Sequence, residues 1–401
     1  MDAVARVWKD EGPRVIGYLV RILRDVALAE ELAQDALVAA LEEWPRTGIP
    51  ERPGAWLVTT ARNRAFNTLK RSRVAARTSD ALAHEAPIAA EPVMPEAIPD
   101  DALRLMFTAC HPVLSTDARV ALTLRLIGGL TTEEIARAFL TTETTIQQRI
   151  VRAKRTLAEA HPTFELPPPH ELAERLGSVL EVIYLIFNEG YTATAGSDLM
   201  RPALAAEAIR IATLLAQLAP DEPEVFGLLA LMQLHASRSA TRVDADGEPV
   251  LLVDQDRARW DRTLIADGLA ALARANRPGP YQLQAAIAAC HATAPSIDAT
   301  DWRRIAELYG ELAQLRPSPV IELNRAMAIS RADGPAKGLA LVDKLRKPLA
   351  DYALFHAARA ELLHQLGRGG EARAAYERAA ELTTNERQQA RLRARAAACG
   401  D

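Results

Sequence analysis

The chain has 401 residues, which at roughly 150 residues per domain predicts two to four domains. Apolar residues make up 49% of it and aromatic residues only 5%, and because Ala and Leu dominate the apolar share, the composition predicts an all-α fold. The formal charge of −4 argues against a uniformly basic protein. The three cysteines are far apart, which argues against a disulfide framework or a zinc site and favours a reducing compartment.

The chain carries no sign of export or membrane insertion. Its first residues, MDAVARVWKDEGP, include no apolar run of signal-peptide length, and no segment approaches the ~18 uninterrupted apolar residues of a membrane span. We therefore expect a cytoplasmic protein without a membrane partner.

Helical periodicity and proline-rich breaks divide the chain into three regions. Apolar residues recur every three or four positions between Val15 and Trp44, the run breaks from Pro45 to Gly54, and a helical period then resumes. Residues 78–99 carry four prolines with little periodicity, which predicts a flexible linker. We predict helical domains over 1–77, over 100–163 and, beyond the prolines at 167–169, over 170–401.

Two stretches are basic within this mildly acidic chain. No acidic residue occurs between Glu51 and Asp80 or between Glu143 and Glu159, while arginines and lysines cluster in both stretches. A charge run is often only a solvated helix face, but clustered cations are also the electrostatic footprint of nucleic-acid binding. The distribution of charge, rather than its sum, predicts a nucleic-acid-binding protein.

The third region repeats itself. A shift of 34 residues aligns small and apolar positions, namely Ala326 with Ala360, Gly338 with Ala372, Val342 with Tyr376 and Leu345 with Ala379. This is the period of tetratricopeptide (TPR) repeats, and a looser copy lies in 280–318. Because stacked hairpins form a concave face, we expect a TPR-like domain that binds a protein partner.

The segment GLTTEEIARAFLTTETTIQQRIVRAKRTL predicts a helix-turn-helix. Thr131 or Thr132 can cap the first helix with Glu134 as the reciprocal cap, and a turn at 140–142 precedes the second helix. Such a helix fits the major groove of DNA. The residues expected to contact DNA are Thr144, Thr145, Gln147, Gln148, Arg149, Arg152 and Lys154. The alternative is an ordinary helical hairpin with a basic solvated face.

This segment resembles region four of ECF (extracytoplasmic-function) RNA polymerase sigma factors, which binds the minus-35 promoter element. The matching residues are Gly129, Leu130, Thr131, Glu133, Glu134, Ile135, Ala136, Arg149, Arg152, Ala153 and Lys154. Gln147 and Gln148 depart from the basic and small residues usual there. The resemblance therefore implies DNA binding and leaves the promoter sequence open.

The N-terminal region resembles region two of the same family. AEELAQDALVAALEEW is similar to its polymerase-binding helix, which implies that Gln34 and Asp35 contact the clamp helices of core RNA polymerase. AWLVTTARNRAFNTLKR is similar to the segment that recognises and opens the minus-ten element, where an unstacked base needs a pocket and the freed backbone needs cations. We expect the loop 46–54 to form that pocket. The implied minus-ten residues are Arg62, Asn63, Asn67, Lys70 and Arg71.

The resemblance covers about 10–160 and implies a sigma factor whose partners are core RNA polymerase and promoter DNA. Residues 181–196, EVIYLIFNEGYTATAG, resemble the extension of a subgroup with a TPR-like C-terminal part, which we expect to modulate transcription. Two alternatives stay open: a DNA-binding regulator that does not open promoters, and a TPR interaction scaffold.

Two cysteine–histidine pairs, a polar cluster and two tryptophans each allow a structural or a functional interpretation. Cys110-His111 and Cys290-His291 are adjacent pairs that diverge by about 100° on a helix and have no evident third ligand, so we predict no enzyme, metal or cofactor. The polar residues Asn188, Glu189 and Tyr191 could line a ligand site, but a buried network at a helix end is favoured. Trp44 and Trp56 are expected in the core.

Overall fold

In the computed structural model, residues 3–64, 98–139, 141–160, 164–192, 200–244, 249–384 and 386–399 are described, and they are helical almost throughout. The helices of the first half are α1 (Ala3–Leu23), α2 (Val26–Thr47), α3 (53–64), α4 (Ile98–Ala109), α5 (Thr116–Leu126), α6 (Thr132–Ala138), α7 (Glu143–Ala160) and α8 (Pro169–Tyr191). Those of the second half are α9 (Pro202–Leu218), α10 (Pro223–Ala236), α11 (Arg262–Arg274), α12 (Pro280–Thr293), α13 (Trp302–Leu315), α14 (Pro319–Asp333), α15 (Pro335–Val342), α16 (Ala353–Gln365), α17 (Gly369–Glu381) and α18 (Glu386–Ala398).

The all-α prediction is confirmed. The only β-pairing within the described ranges is an isolated bridge between Val243 and Pro249. No helix in those ranges combines the length and the apolar character needed to cross a bilayer.

The first bundle contains α1, α2 and α3. Val15, Leu19 and Leu32 are buried between α1 and α2. Trp44 is also buried, as its core assignment predicts, and it packs edge-on against Trp56, which is half-buried, with ring centroids 5.3 Å apart.

The predicted break at Pro45 is wrong. Proline lacks only its own N–H, and the Gly48 N–H closes the last turn of α2 by donating to the Trp44 carbonyl at 2.9 Å. Gly48 has a φ of 86°, a left-handed conformation that favours glycine at a helix end. Since α3 starts at 53, the loop between the two helices is 48–52, shorter than the predicted 46–54.

The second bundle contains α4 to α7 and begins at Ile98, just before the predicted start at 100. The proposed linker 78–99 lies outside the described residues up to 97, as does the end of the first predicted domain. α1 packs closely on α4, because a Cβ added to Gly17 would stand 2.4 Å from the Asp101 carbonyl oxygen. The Arg21 side chain binds the buried Asp101 carboxylate at 3.1 Å.

The structure divides into two compact units, Met1–Ile183 and Tyr184–Asp401. The predicted third region starts at 170, fourteen residues before the second unit, and α8 crosses the boundary between the units. Its first part belongs to the first unit because Arg175 donates to the Phe107 carbonyl at 3.0 Å and Ser178 donates to the Cys110 carbonyl at 2.9 Å. These bonds satisfy carbonyls at the end of α4.

The second unit is built from helical hairpins. The hairpins α14–α15 and α16–α17 start 34 residues apart, at Pro319 and Ala353, which is the predicted repeat period. Ala326 and Ala360 are both buried, as are Gly338 and Ala372 at the equivalent positions of the second helices. The looser copy predicted for 280–318 is the hairpin α12–α13.

Candidate nucleic-acid interface

Reciprocal capping fixes the helix-turn-helix. The Thr131 hydroxyl accepts from the Glu134 N–H at 3.1 Å, and the Glu134 carboxylate accepts from the Thr131 N–H at 2.8 Å. Gly129, with a φ of 68°, makes the left-handed turn that leads into this cap. The predicted capping pair is thus confirmed, and it is Thr131 rather than Thr132 that caps α6.

The second helix, α7, begins at Glu143 as predicted. Ile146 and Ile150 are buried against the bundle, which turns the opposite face outward. The exposed predicted DNA-binding residues on that face are Thr144, Thr145, Gln147, Gln148 and Arg152. α7 therefore presents polar groups able to bond base edges and phosphates along one exposed side.

Contacts across the turn hold the start of α7. The Glu143 carboxylate accepts from the Thr132 hydroxyl at 2.7 Å and from the Gln147 amide at 3.2 Å. Thr142 caps the helix by accepting from the Thr145 N–H at 3.2 Å. The N-terminal turn, which in this motif faces the bases, is thereby preorganised.

The other two predicted cations, Arg149 and Lys154, are half-buried and bound to carboxylates of other helices. Arg149 pairs with Asp117 of α5 at 3.1 Å, and Lys154 pairs with Glu30 of α2. Glu30 is 5% exposed and also accepts from Arg125 of α5 at 2.6 Å. One carboxylate therefore joins the first bundle to the recognition helix.

Sequence reasoning missed Glu30, Arg125 and Asp117 in this role. Glu30 was noted only as part of a resemblance to the polymerase-binding helix, and it lies far along the chain from Lys154. No periodicity or spacing links residues so distant, since the pairing depends on how the two bundles pack.

The predicted polymerase-binding residues lie on α2. Asp35 is exposed and Gln34 is half-buried. Val38 and Leu41, which are 50% and 44% exposed, follow Asp35 in steps of three residues, so Val38 lies beside Asp35 and Leu41 lies beside Val38 on the helix surface. An exposed strip of apolar residues with a carboxylate at its edge is the composition of a protein-binding surface.

The minus-ten residues are only partly covered by the structure. Asn63 is exposed on the described part of α3, and Arg62 is half-buried with an Nε that has no partner among the described residues. Arg64, beside them, pairs with Asp35 of α2 at 3.4 Å. Asn67, Lys70 and Arg71 lie outside the described residues.

The two cysteine–histidine pairs are placed unfavourably for nucleophilic chemistry. Burial raises the pKa of the Cys110 thiol to about 11, and its sulfur lies 3.3 Å from the Thr123 hydroxyl. Burial also raises the pKa of Cys290. Both thiols are therefore held in the protonated, poorly nucleophilic form. Within the described ranges, no group of three or more His, Cys, Asp or Glu residues could hold a metal ion.

The polar residues at the end of α8 form a network, as was favoured. Glu189 pairs with Arg201, and Arg242 donates to the Tyr191 carbonyl and lies 3.7 Å from the centre of the Tyr191 ring. Tyr191 also accepts from Arg238 at 3.0 Å through its hydroxyl.

The comparisons with known proteins agree with these two bundles. The chain matches Sigma-70 region 2 over 7–74, Sigma-70 region 4 over 104–157 and a family of unknown function, DUF6596, over 175–276. It is 30% identical to ECF RNA polymerase sigma factor SigK of Mycobacterium ulcerans over 39% of this chain and 84% of that protein. It is 32% identical to RNA polymerase sigma factor CarQ of Myxococcus xanthus over 33% of this chain and 75% of that protein.

The chain belongs to the ECF RNA polymerase sigma factor family. It is a sigma factor for transcription initiation, with a C-terminal extension. The extension is shared with an uncharacterized protein of Rhizobium meliloti, which is 45% identical over 95% of this chain and 92% of that protein. The structure of yeast Tom70 aligns over 99% of this chain and 84% of that one at 14% identity, with a TM-score of 0.31.

Membership in the family resolves one of the open alternatives. A plain DNA-binding regulator has no need of region two, and this sigma factor has both regions in the order of the family. Sigma-factor domains imply core RNA polymerase and promoter DNA as partners. Sigma-factor families are not, in general, families of enzymes.

Proposed function

We propose that α7 reads the minus-35 element through its exposed face. The observation that carries the proposal is that Thr144, Gln148 and Arg152 are exposed beside a capped N-terminal turn. Gln and Arg side chains can each make bidentate contacts to a base. Thr145 and Gln147 lie on the same exposed turns and add hydroxyl and amide groups for bases or phosphates.

Arg149 and Lys154 have a different role in this proposal. Each is bound to a carboxylate, so contact with a phosphate requires an exchange of partners rather than the simple gain of one. When a cation exchanges a charge-assisted bond to a carboxylate for one to a phosphate, the exchange contributes little to the free energy of DNA binding. Arg152, which is exposed, is therefore the cation expected to contribute most to DNA binding.

The test is promoter binding by the Arg152→Ala variant in complex with core polymerase. We expect its affinity to fall by about 1 to 3 kcal/mol if Arg152 contacts a base. Arg303→Ala, which removes a 78% exposed arginine of α13, is the matched control and should bind normally. Equal affinity of the two variants would contradict the placement of α7 in the groove.

For the first bundle we propose that Gln34 and Asp35 contact core polymerase and that Arg62, Asn63, Asn67, Lys70 and Arg71 bind the minus-ten element. The exposed apolar strip beside Asp35 supports the first part. Val38→Glu should weaken core binding, while Glu43→Ala, on another side of α2, should not. Asn63→Ala with Asn67→Ala should keep core binding and lower thymine reactivity to permanganate at the minus-ten element.

We also propose that the protein acts in the cytoplasm and that its extension modulates transcription. Truncation after Ile183 is the sharpest test, because it keeps the bonds of Arg175 and Ser178 to the first unit. We expect promoter output in vitro to change several-fold relative to the full chain. Equal output over a range of salt concentrations would show that the extension does not modulate in cis.

A further inference from the structure

The second unit contains a cavity of about 390 Å³ among α8, α10, α12, α13 and α14. This volume lies within the range of small-molecule sites. Most of its wall is apolar, formed by side chains such as Leu231, Ile287 and Leu312. A polar group of Arg and His residues occupies part of it.

The polar part of the wall is cationic. Arg238 lines the cavity together with His235 and His291, and of the described lining residues none is Asp or Glu. The charged groups that act on the two histidines are the arginines Arg238, Arg242 and Arg257. A half-buried cation without a carboxylate nearby is costly, because burial removes part of its hydration.

Two nitrogen atoms in the cationic part of the wall lack hydrogen-bond partners among the described residues. The Nε of Arg238 and the Nδ1 of His291 are buried and unbonded among the described residues. The Nη2 of Arg238 donates to the hydroxyl of Tyr191, which does not line the cavity, at 3.0 Å. Buried polar groups are nearly always bonded, so these positions indicate that a partner is required.

The pKa values of the titratable residues in the wall also indicate a site for an anion. Burial and the nearby arginines lower the pKa of His235 to about 3 and that of His291 to about 4. Burial raises the pKa of Tyr309, which also lines the cavity, to about 12. At neutral pH the site therefore holds neutral imidazoles and a neutral phenol around one guanidinium, and its uncompensated charge is positive.

We propose that this cavity binds a small organic anion, with a carboxylate or phosphate head on Arg238 and His291 and an apolar body against Leu231, Ile287 and Leu312. A guanidinium matches either head group in shape and charge. Tyr309 and His235 can complete the hydrogen bonds of the head. The inference is independent of the DNA contacts proposed above.

The test uses the full chain with benzoate and phenyl phosphate as the anionic probes and benzyl alcohol as the neutral one. At ten times its dissociation constant, an anion that binds should raise the Tm of the second unit by roughly 3 to 6 °C. The relative response to the two anions separates a carboxylate from a phosphate preference. Benzyl alcohol should leave the Tm unchanged, and inorganic phosphate should bind more weakly than phenyl phosphate.

Three variants locate the binding. Arg238→Met should abolish the shift, and Ala288→Phe should also abolish it by filling the cavity without altering any charge. The second variant keeps the test decisive if loss of Arg238 harms folding. Arg274→Met, which removes an arginine stacked 3.8 Å from the Phe226 ring and outside the cavity, should retain the shift.

Several results would overturn the proposal. Equal shifts with benzyl alcohol would mean that the cavity does not select anions. A shift that survives Ala288→Phe would mean that the anion binds elsewhere. No shift with either anion in the unmodified chain would mean that water satisfies the buried nitrogens.

Discussion

The two units bind their half-buried cations to different kinds of partner. In the first unit Arg125 and Lys154 share the carboxylate of Glu30, and Arg149 is paired with Asp117. In the second unit Arg238 and Arg242 are bonded to Tyr191, and Arg257 donates to the His291 carbonyl at 2.6 Å. In the first arrangement every cation is bound to a carboxylate and the pairs join helices, whereas the second leaves an arginine without a carboxylate beside a cavity. Arginine content alone does not distinguish the two.

The largest effect should follow from removing the shared carboxylate. Glu30→Ala leaves Arg125 and Lys154 partly buried without their partner, which should lower the free energy of unfolding of the first unit by about 3 to 5 kcal/mol. Urea unfolding of the chain truncated after Ile183 measures this. Glu159→Ala breaks an exposed pair with Arg155 and should cost less than about 1 kcal/mol. Similar losses in both variants would show that the Glu30 junction is no stronger than a surface pair.

The sequence predicts interactions between residues close in the chain, and it does not predict interactions that depend on packing between helices. Thr131, Glu134 and Gly129 act within a few residues of one another, so their cap and turn could be predicted from spacing alone. The helix passes through Pro45 because a proline in the last turn costs one hydrogen bond, and the turn still closes with the bond from the Gly48 N–H to the Trp44 carbonyl. Glu30 with Lys154 depends on packing between bundles and leaves no local signal.

The cavity of the second unit could not be predicted from the sequence either, because its polar residues come together only through helix packing. His291 was noted because it follows Cys290, yet its ring lies at the cavity wall and contacts Trp302 with ring centroids 5.1 Å apart. His235 lies in the last turn of α10 and Arg238 just after it, and only the stacking of α10 and α12 brings them near His291. The boundary at Ile183 was missed for a related reason, since the bonds of Ser178 depend on tertiary contacts.

The stability of the second unit should depend on pH because two of its histidines have lowered pKa values. In the folded state His235 and His291 have pKa values of about 3 and 4, below the unfolded value near 6.5, so the unfolded chain binds more protons in the interval between. Stability of the second unit should therefore fall as pH falls from 6.5 towards 4. Each histidine contributes up to about 1.4 kcal/mol per pH unit to the free energy of unfolding.

His235→Gln is the variant that checks this assignment. Between pH 6 and pH 5 the free energy of unfolding should fall by about 1.4 kcal/mol less in this variant than in the unmodified chain, because one of the two histidines is no longer there to be protonated. Calorimetric Tm values of the second unit over this range provide the measurement. An unchanged slope would mean that His235 is not held neutral. A bound anion should flatten the slope as well, since it favours the protonated ring.

The smallest effect concerns the local cap of the helix-turn-helix. Thr131→Ala removes the hydroxyl that accepts from the Glu134 N–H, which should lower the stability of the first unit by about 1 kcal/mol. Thr132→Ala is the neighbouring control, since Thr132 does not cap α6 but bonds to Glu143 at 2.7 Å. Hydrogen exchange of the first-turn amides of α6 reports the difference directly. Because the cap is local and the Glu30 junction is tertiary, Thr131→Ala should loosen this turn without weakening the contact between the two bundles. Faster exchange in the first turn of α6 and also around Glu30 would show instead that the cap and the Glu30 junction form one cooperative unit.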